Sequence, residues 1–528
     1  MKINSICIVG GGSSGWMAAA AIAVNLPNIK LTVIEPTDIP IVGVGESTLG
    51  HINRYLHCIG LGGKDKEWMP QCEASYKVSI QFSDFKQKGH VFQYPFGKHD
   101  YTNNKTPNDW AYLKNLIPEF NDTYSEFYNP ITYLANTNKM VSDNSIIRNF
   151  NFTMDTAYHF NATQFGQYLK NNICIPKGVT VIRDSIEDVV INEDGEIEYL
   201  VAKLTPRMKL KYDLYIDCTG FKSLILEKKM GSKFISFNDV LLNDTALATR
   251  IPYIDIEKEL TNVTDCCALK NGWVWNIPLW SRIGTGYCYS SKFTTKENAE
   301  KEFREHLAKI DKKRAEEAEL FTINIRHGKR EKAWVKNCLG IGLSYGFLEP
   351  LESTGLLTTH ENVLRLVDTL QKREGYVTKL DVDGYNHAVD YDLESFKDFI
   401  VMHYVLSQRD DSDYWKYIKY EMDVVPPEMI TDRLVTSPRL YREFLHDSYR
   451  SHNFSDLDGI LYIAHGMDYL PVGKTQTEYR FSENGYFNKD QLIKDVKIPH
   501  DRYKKQVLRH LDKCPSTYKF LKDNIYNA

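Results

Sequence analysis

The chain has 528 residues, 42% of them hydrophobic, and a formal net charge of -4. Its pI near 6.4 gives no basic surplus for a nucleic-acid or anionic-membrane partner, and no run of about 18 apolar residues marks a membrane span. Ten cysteines occur without CxxC or Cys/His spacing, which predicts reduced thiols, a cytoplasmic setting and no structural metal.

In chain order, "NSICIV" (4–9) reads as a short apolar strand. A glycine turn follows, then an alanine-rich helix from about Trp16, and a second strand, "KLTVIE", ends at Glu35. The turn breaks the apolar N-terminus, so no signal peptide is expected. The turn supplies G-x-G-x-x-G at Gly10, Gly12 and Gly15. The first glycine permits the tight turn, the second lets backbone approach a pyrophosphate, and the third lets helix and strand pack closely. Ser13 and Ser14 lie at the helix start, where free N–H groups favour phosphate. Glu35 is placed for ribose hydroxyls. The pattern predicts a dinucleotide site for NAD or FAD.

From 50 to 150 the chain is polar and aromatic, with 108–134 helical or irregular. Residues 159–171 read as a helix. Strands follow over 179–204, with "EDG" as a hairpin turn. "YDLYIDCTG" (212–220) is a strand entering a glycine turn, ending in Asp217-Cys-Thr-Gly. Residues 235–335 are strand-rich, with one charged helix over 295–318. Within them "NGWVWNIPLW" (271–280) sets Trp273 and Trp275 on one face of a strand, where core packing alone would suit them. "KNCLGIGLSYG" (336–346) is a strand, and a helix runs from about Ser353 to Lys372. Residues beyond 385 are helical and polar. The strand at 212–220, and the strand–loop–helix over 337–367 with a helix N-terminus suited to negative charge, favour FAD over NAD. The division expected is 1–385 and 386–528.

The motifs "GGGSSGWMAAA" (10–20), "VGVGEST" (42–48), "SYKVSIQF" (75–82), "YHFNATQFGQYL" (158–169), "DLYIDCTGF" (213–221), "GWVWNIP" (272–278), "GTGYCYS" (284–290), "GFLEPLESTG" (346–355) and "SQRDDSDYWKY" (407–417) together resemble the flavin-dependent halogenases of the tryptophan-halogenase type. The resemblance covers about four-fifths of the chain. The frequent Asn, Lys, Asp and Tyr suit an AT-rich microbial or viral genome. The resemblance implies an α/β, Rossmann-like FAD-binding fold of the flavoprotein monooxygenase type, with a substrate-side sheet and a mostly helical C-terminal region. It implies use of FADH2, O2 and a halide, whether chloride, bromide or iodide. The halide is oxidised at the flavin to hypohalous acid, which passes inside the protein to a lysine beside an electron-rich arene.

That lysine matches Lys77, which would hold hypohalous acid or become a haloamine; the latter needs a neutral amine and burial. On spacing alone, Lys77 would be a surface residue on an alternating strand. Glu352 matches the acid that stabilises or deprotonates the arene intermediate; taken alone, it would be a first-turn or capping acid. Ser353 would orient Glu352. Thr354 and Gly355 match the halide contacts at a helix N-terminus. Glu46, Ser47 and Thr48 match a flavin-contacting loop that couples the two sites, and Asp217, Gly342 and Leu351 match further cofactor positions. Trp273, Trp275, Ile277 and Pro278 match the barrier that keeps substrate from the flavin. Phe92, Tyr94 and Phe96, in the loop 90–100, offer aromatic walls for substrate. Tryptophan-specific members carry an aromatic and acidic cluster late in the chain; residues 438–472 hold Tyr and Phe but no Trp, which widens the substrate to an indole, a phenol or another electron-rich arene. A separate NAD(P)H-dependent flavin reductase is the implied partner, and an oligomer is open. Two rival readings are a single-component aromatic hydroxylase, whose Gly-Asp motif is absent from "GIGLS" (340–344), and a flavin-binding protein without catalysis.

Overall fold

The computed structural model describes residues 1–36, 45–102, 105–106, 108–142, 146–204, 208–422, 457–469, 473–483 and 485–527. The buried run Ser5–Val9 pairs in parallel with Lys30–Glu35 on one side and Leu214–Asp217 on the other. The six-stranded sheet continues to Thr180–Arg183 at one edge and, through Cys338–Gly340, to Trp334–Val335 at the other. Val9, Glu35, Asp217 and Gly340 end their parallel strands on the same side of the sheet. Parallel strands of this kind place ligands beyond their carboxyl ends.

The helix Ser13–Asn25 buries every residue from Gly15 to Ile22. Its alanines carry no bulk, so it packs closely against the sheet and two helices, Ala162–Leu169 and Thr354–Lys372. A seven-stranded sheet forms a second layer, with Gly272–Pro278 flanked by Ile283–Tyr289 and Val263–Ala268. Ser79–Ser83 joins it by a parallel pairing to Val263–Ala268 and carries Val91–Pro95 as the edge strand. A third, three-stranded sheet orders Glu46–Ser47, Ala157–Phe160 and Ser75–Lys77. It is tied to the seven-stranded sheet by Ser47 Oγ, 2.7 Å from Thr264 Oγ1, and by Ser75 Oγ, which donates to the Pro278 carbonyl.

Several sequence expectations shift. The helix expected over 159–171 is preceded by the strand Ala157–Phe160, and starts at Ala162. The segment pairs on both sides, and Asn161 caps the helix by accepting from the Gln164 N–H. The single helix over 295–318 is two, Lys296–Ala308 and Lys312–Glu317; Asp311 caps the second one and so breaks the run. The first helix starts at Ser13, not Trp16. The strand expected over 336–346 is Cys338–Gly340, after which the backbone turns through Gly342–Ser344 before Gly346 starts a second short strand. Phe92 and Tyr94 lie on the strand Val91–Pro95 rather than in a loop. The boundary at 385 falls inside one helix, Lys379–Val405. The cysteines are free, and among the described residues no helix is long and apolar enough to cross a membrane.

Candidate active site

The glycine turn fits a dinucleotide. Gly10 has φ +121°, and a Cβ there would collide with the Cys218 carbonyl; one at Gly15 would collide with the Gly10 carbonyl. A Cβ at Gly12 would meet nothing within 4 Å, so open space lies where a pyrophosphate would approach. The helix Ser13–Asn25 has no side-chain cap and no acid in its first turn, which leaves its N–H groups for an anion. Ser13 Oγ donates to the Ala162 carbonyl at 3.1 Å, and Ser14 Oγ lies 3.5 Å from Thr359 Oγ1. Gly342 has φ +70° and packs directly on Ser14. Glu35 ends its strand against Gly11 and is paired with Lys170. Asp217 is fully buried, and four donors occupy its carboxylate: the N–H and hydroxyl of Thr219 and the N–H groups of Ile225 and Leu226. Its work in the structure is to hold that turn.

Lys77 is completely buried, so the surface position suggested by spacing is wrong: all three residues of Ser75–Lys77 are covered, with Ala157–Phe160 paired alongside and the helix Thr517–Leu521 packed on the strand. Lys77 Nζ donates to Ser47 Oγ at 2.8 Å and to Ser353 Oγ at 3.0 Å. Ser47 comes from the expected flavin-side loop and Ser353 from beside Glu352. Burial lowers the Lys77 ammonium to about 7, opposed in part by the Cys266 thiol and the Glu352 carboxylate. Burial also pushes the Glu46 carboxyl up to about 7. Thr48 Oγ1 donates to the Tyr158 carbonyl at 2.8 Å and locks this loop to the next strand. Residues 42–44 of the "VGVGEST" motif lie outside the described residues.

Glu352 sits in a 3-10 turn, Pro350–Glu352, and Ser353 follows with φ 56° and ψ 30°. The helix proper begins at Thr354 without a side-chain cap, so Glu352 is neither a first-turn acid nor a capping-box member. A non-glycine residue held left-handed costs roughly 1–3 kcal/mol and persists where its surroundings require it. Here it turns Glu352 away from the helix and brings Ser353 Oγ to Lys77. Leu351 is buried, and its carbonyl lies 3.7 Å from Cys266 Sγ. Thr354 Oγ1 is buried without a hydrogen-bond partner among the described residues, and Gly355 faces open space. That helix end has no first-turn acid and suits an anion.

Two further residues belong to this cluster. His403 Nε2 lies 2.6 Å from Glu352 Oε1, both side chains buried. Its Nδ1 donates to the Phe399 carbonyl at 2.9 Å, which sets the ring with Nε2 toward the Glu352 carboxyl. Nothing in the sequence around His403 signals this, because the helix Lys379–Val405 carries it in from afar. Glu349 Oε2 accepts from Trp273 Nε1 at 2.8 Å and from Asn243 Nδ2 at 2.9 Å. The need of a buried indole N–H for an acceptor was the available signal.

Trp273 and Trp275 are buried, their rings 6.1 Å apart. Gly286 on the neighbouring strand leaves room for the Trp275 ring, since a Cβ there would strike it. Ile277 packs on Gly45 of the loop before Glu46, and the Pro278 carbonyl accepts from Ser75 Oγ at 2.6 Å. Lys77 Nζ lies 5.1 Å from the centre of the Phe96 ring. Phe92 stacks on Phe82 at 5.1 Å, and Tyr94 meets Phe399 and Tyr462. Phe92 also lines a cavity with Trp110, Tyr124, Tyr462 and His465. Of the late stretch 438–472, residues 438–456 and 470–472 lie outside the described residues.

The family model for tryptophan halogenase matches residues 5–478. Among characterised relatives, the 7-chloro-L-tryptophan 6-halogenase KtzR of Kutzneria sp. strain 744 is 32% identical over 435 residues, covering 78% of this chain and 81% of its own. The tryptophan 7-halogenase RebH of Lentzea aerocolonigenes is 33% identical over 433 residues, covering 79% and 78%. The solved apo structure of VirX1 superposes with a TM-score of 0.89 at 44% identity, covering 99% of this chain and all of the other.

Proposed function

The chain belongs to the tryptophan halogenase family of flavin-dependent oxidoreductases, two-component enzymes served by a separate flavin reductase, and from that premise we propose that it halogenates an electron-rich arene through Lys77. One observation carries this reading: a fully buried lysine held between Ser47, on the cofactor side, and Ser353, beside Glu352. Gly10, Gly12, Ser13, Ser14, Gly15 and Glu35 would hold FAD, with Glu46, Ser47, Thr48, Gly342 and Leu351 around its reactive end and Asp217 supporting the turn. When bound in its reduced form, FAD supplies the oxidation of halide by O2. The uncapped helix start at Thr354 and Gly355 holds the halide by its N–H groups. Trp273, Trp275, Ile277 and Pro278 separate the arene from the cofactor, and the Glu349 carboxylate fixes the Trp273 ring.

Hypohalous acid reaching Lys77 meets an amine that burial has made partly neutral near pH 7. A neutral amine can take the halogen on its lone pair as the O–X bond breaks and the hydroxide leaves with one amine proton as water, whereas an ammonium can only polarise the acid by hydrogen bonding. Glu352 lies where its carboxylate stabilises the cationic arene and accepts the displaced ring proton. The His403 imidazole packed against its carboxyl orients it. Phe96, beside Nζ, together with Phe92 and Tyr94, forms the aromatic side of the substrate region.

The test is mass spectrometry of a panel of indoles and phenols incubated with the protein, FAD, a flavin reductase, NADH, catalase and each halide in turn. A halogenated product lost in Lys77→Ala, with flavin oxidation retained, is the expected result. Oxygen insertion instead would mark a hydroxylase, and product persisting in Lys77→Ala would remove Lys77 from the mechanism.

A further inference from the structure

The two-serine grip on Lys77 continues into the protein as a hydrogen-bonded line. Strand register sets Ser47, His159 and Ser75 side by side across three strands, and Thr264 packs against them from the larger sheet. Ser75 Oγ lies 2.6 Å from the Pro278 carbonyl. A carbonyl only accepts, so the Ser75 proton is committed there. His159 Nδ1, 3.3 Å from Ser75 Oγ, must then donate to it. A neutral imidazole has one N–H, which leaves Nε2 as an acceptor. Thr264 Oγ1, 2.8 Å from Nε2, donates. Its proton spent, Thr264 accepts from Ser47 Oγ at 2.7 Å. The Ser47 proton therefore points away from Lys77, and Ser47 can only accept from Nζ. Ser353 Oγ donates to Ser47 Oγ at 3.0 Å and likewise accepts from Nζ.

We propose that His159, acting through Thr264 and Ser47, fixes the direction of the hydrogen bonds at Lys77, so that both N–H groups of its neutral amine are occupied and its lone pair stays free for the halogen. This rests on the reading that Lys77 carries the halogen. His159 is a positioning residue, because it touches neither substrate nor cofactor. One carbonyl, that of Pro278, sets the sense of the whole line. The Ile-Pro end of the tryptophan signature is thus joined to the reactive amine. Lys77, His159 and Ser75 have no solvent exposure, and Ser47 and Thr264 are buried, so water does not scramble the order. Burial, with Lys77 adding to it, holds the His159 imidazole neutral far below its ordinary range. The groups facing Lys77 are the Cys266 thiol, itself kept neutral by burial, and the Glu352 carboxylate; the charged group facing His159 is Lys77.

Breaking the line frees the Ser47 hydroxyl to turn and donate into the Nζ lone pair. That blocks the nucleophile and stabilises the neutral amine. Thr264→Val keeps the shape and removes the hydroxyl; Thr264→Ser restores it. Lys77 is titrated by NMR of the 13C-labelled lysine side chains in the full chain without cofactor, its signal assigned by loss in Lys77→Met. The expected result is a midpoint about half a pH unit or more lower in Thr264→Val, and near wild type in Thr264→Ser. Indole halogenation should fall about tenfold in Thr264→Val with FADH2 oxidation unchanged, and recover in Thr264→Ser. His159→Phe should repeat the valine result, and His159→Gln, whose amide oxygen can accept from Thr264, should retain function. An unchanged midpoint or halogenation rate in Thr264→Val, or a serine variant as impaired as the valine one, would overturn the proposal. A wild-type protein that halogenates nothing would instead sink the halogenation reading, and the titration would still decide the direction of the line.

Discussion

Lys77 and Glu352 show how far a residue's surroundings decide its chemistry. Folding takes the lysine from an ordinary 10.5 to about 7, mainly by desolvation. Between those values the unfolded chain binds more protons at this site than the folded one, so the contribution of Lys77 to stability rises with pH across the window and is most unfavourable at and below pH 7. Lys77→Met should therefore be more stable than wild type near pH 7. The gap should shrink by about 1.4 kcal/mol per pH unit toward pH 10, as read by denaturant unfolding at a series of pH values. A gap independent of pH would mean that the lysine stays protonated across the window in the folded chain, as it does in the unfolded one. At Glu352, His403→Phe removes the imidazole that stands 2.6 Å from the buried carboxyl. Arene halogenation should drop at least about tenfold while hypohalous acid continues to form, detected by its reaction with a diketone trap. A variant that halogenates at the wild-type rate would leave His403 a packing residue.

At the scale of elements, the two ends of one glycine turn make contrasting predictions. Gly10 holds a left-handed φ against the Cys218 carbonyl, so Gly10→Ala should destabilise the fold by about 2–3 kcal/mol or more. Gly12 has an ordinary φ and open space around its missing Cβ. Gly12→Ala should melt within about 0.5 kcal/mol of wild type yet bind FAD at least about tenfold more weakly, as measured by thermal melting with and without FAD. Equal FAD affinity would place the pyrophosphate elsewhere. The turn itself was legible because three glycines, a helix and a terminal acid recur at fixed spacing. The strand Ala157–Phe160 was not: four residues carry too little periodicity to stand out, and they are a strand because neighbours on both sides pair with them.

Across the whole molecule, the helix Lys379–Val405 joins what the sequence suggested dividing at 385. It buries Val389, Leu393, Phe396, Phe399 and Ile400 against the rest of the chain and delivers His403 to Glu352. Each such side chain is worth about 1.5–3 kcal/mol of burial, and their sum rivals the net stability of a domain, about 5–15 kcal/mol. A fragment of residues 1–385 should therefore show no cooperative melt by calorimetry. A fragment that melts cooperatively would establish an independent N-terminal unit.

By itself, the sequence determined the dinucleotide turn, the family and most of the residues now gathered at the site, because those features are local: glycine spacing, short motifs and their order along the chain. The tertiary structure alone decided that Lys77 is buried and not on a surface strand, that Glu352 precedes its helix instead of capping it, and that His159, Thr264, Glu349 and His403 stand behind the reactive groups. Burial and hydrogen-bond direction depend on what other segments bring to a point in space. Ser47, Lys77, His159, Thr264 and His403 lie on five separate elements and Ser353 on a turn before a sixth, and no local pattern in the chain records that they meet.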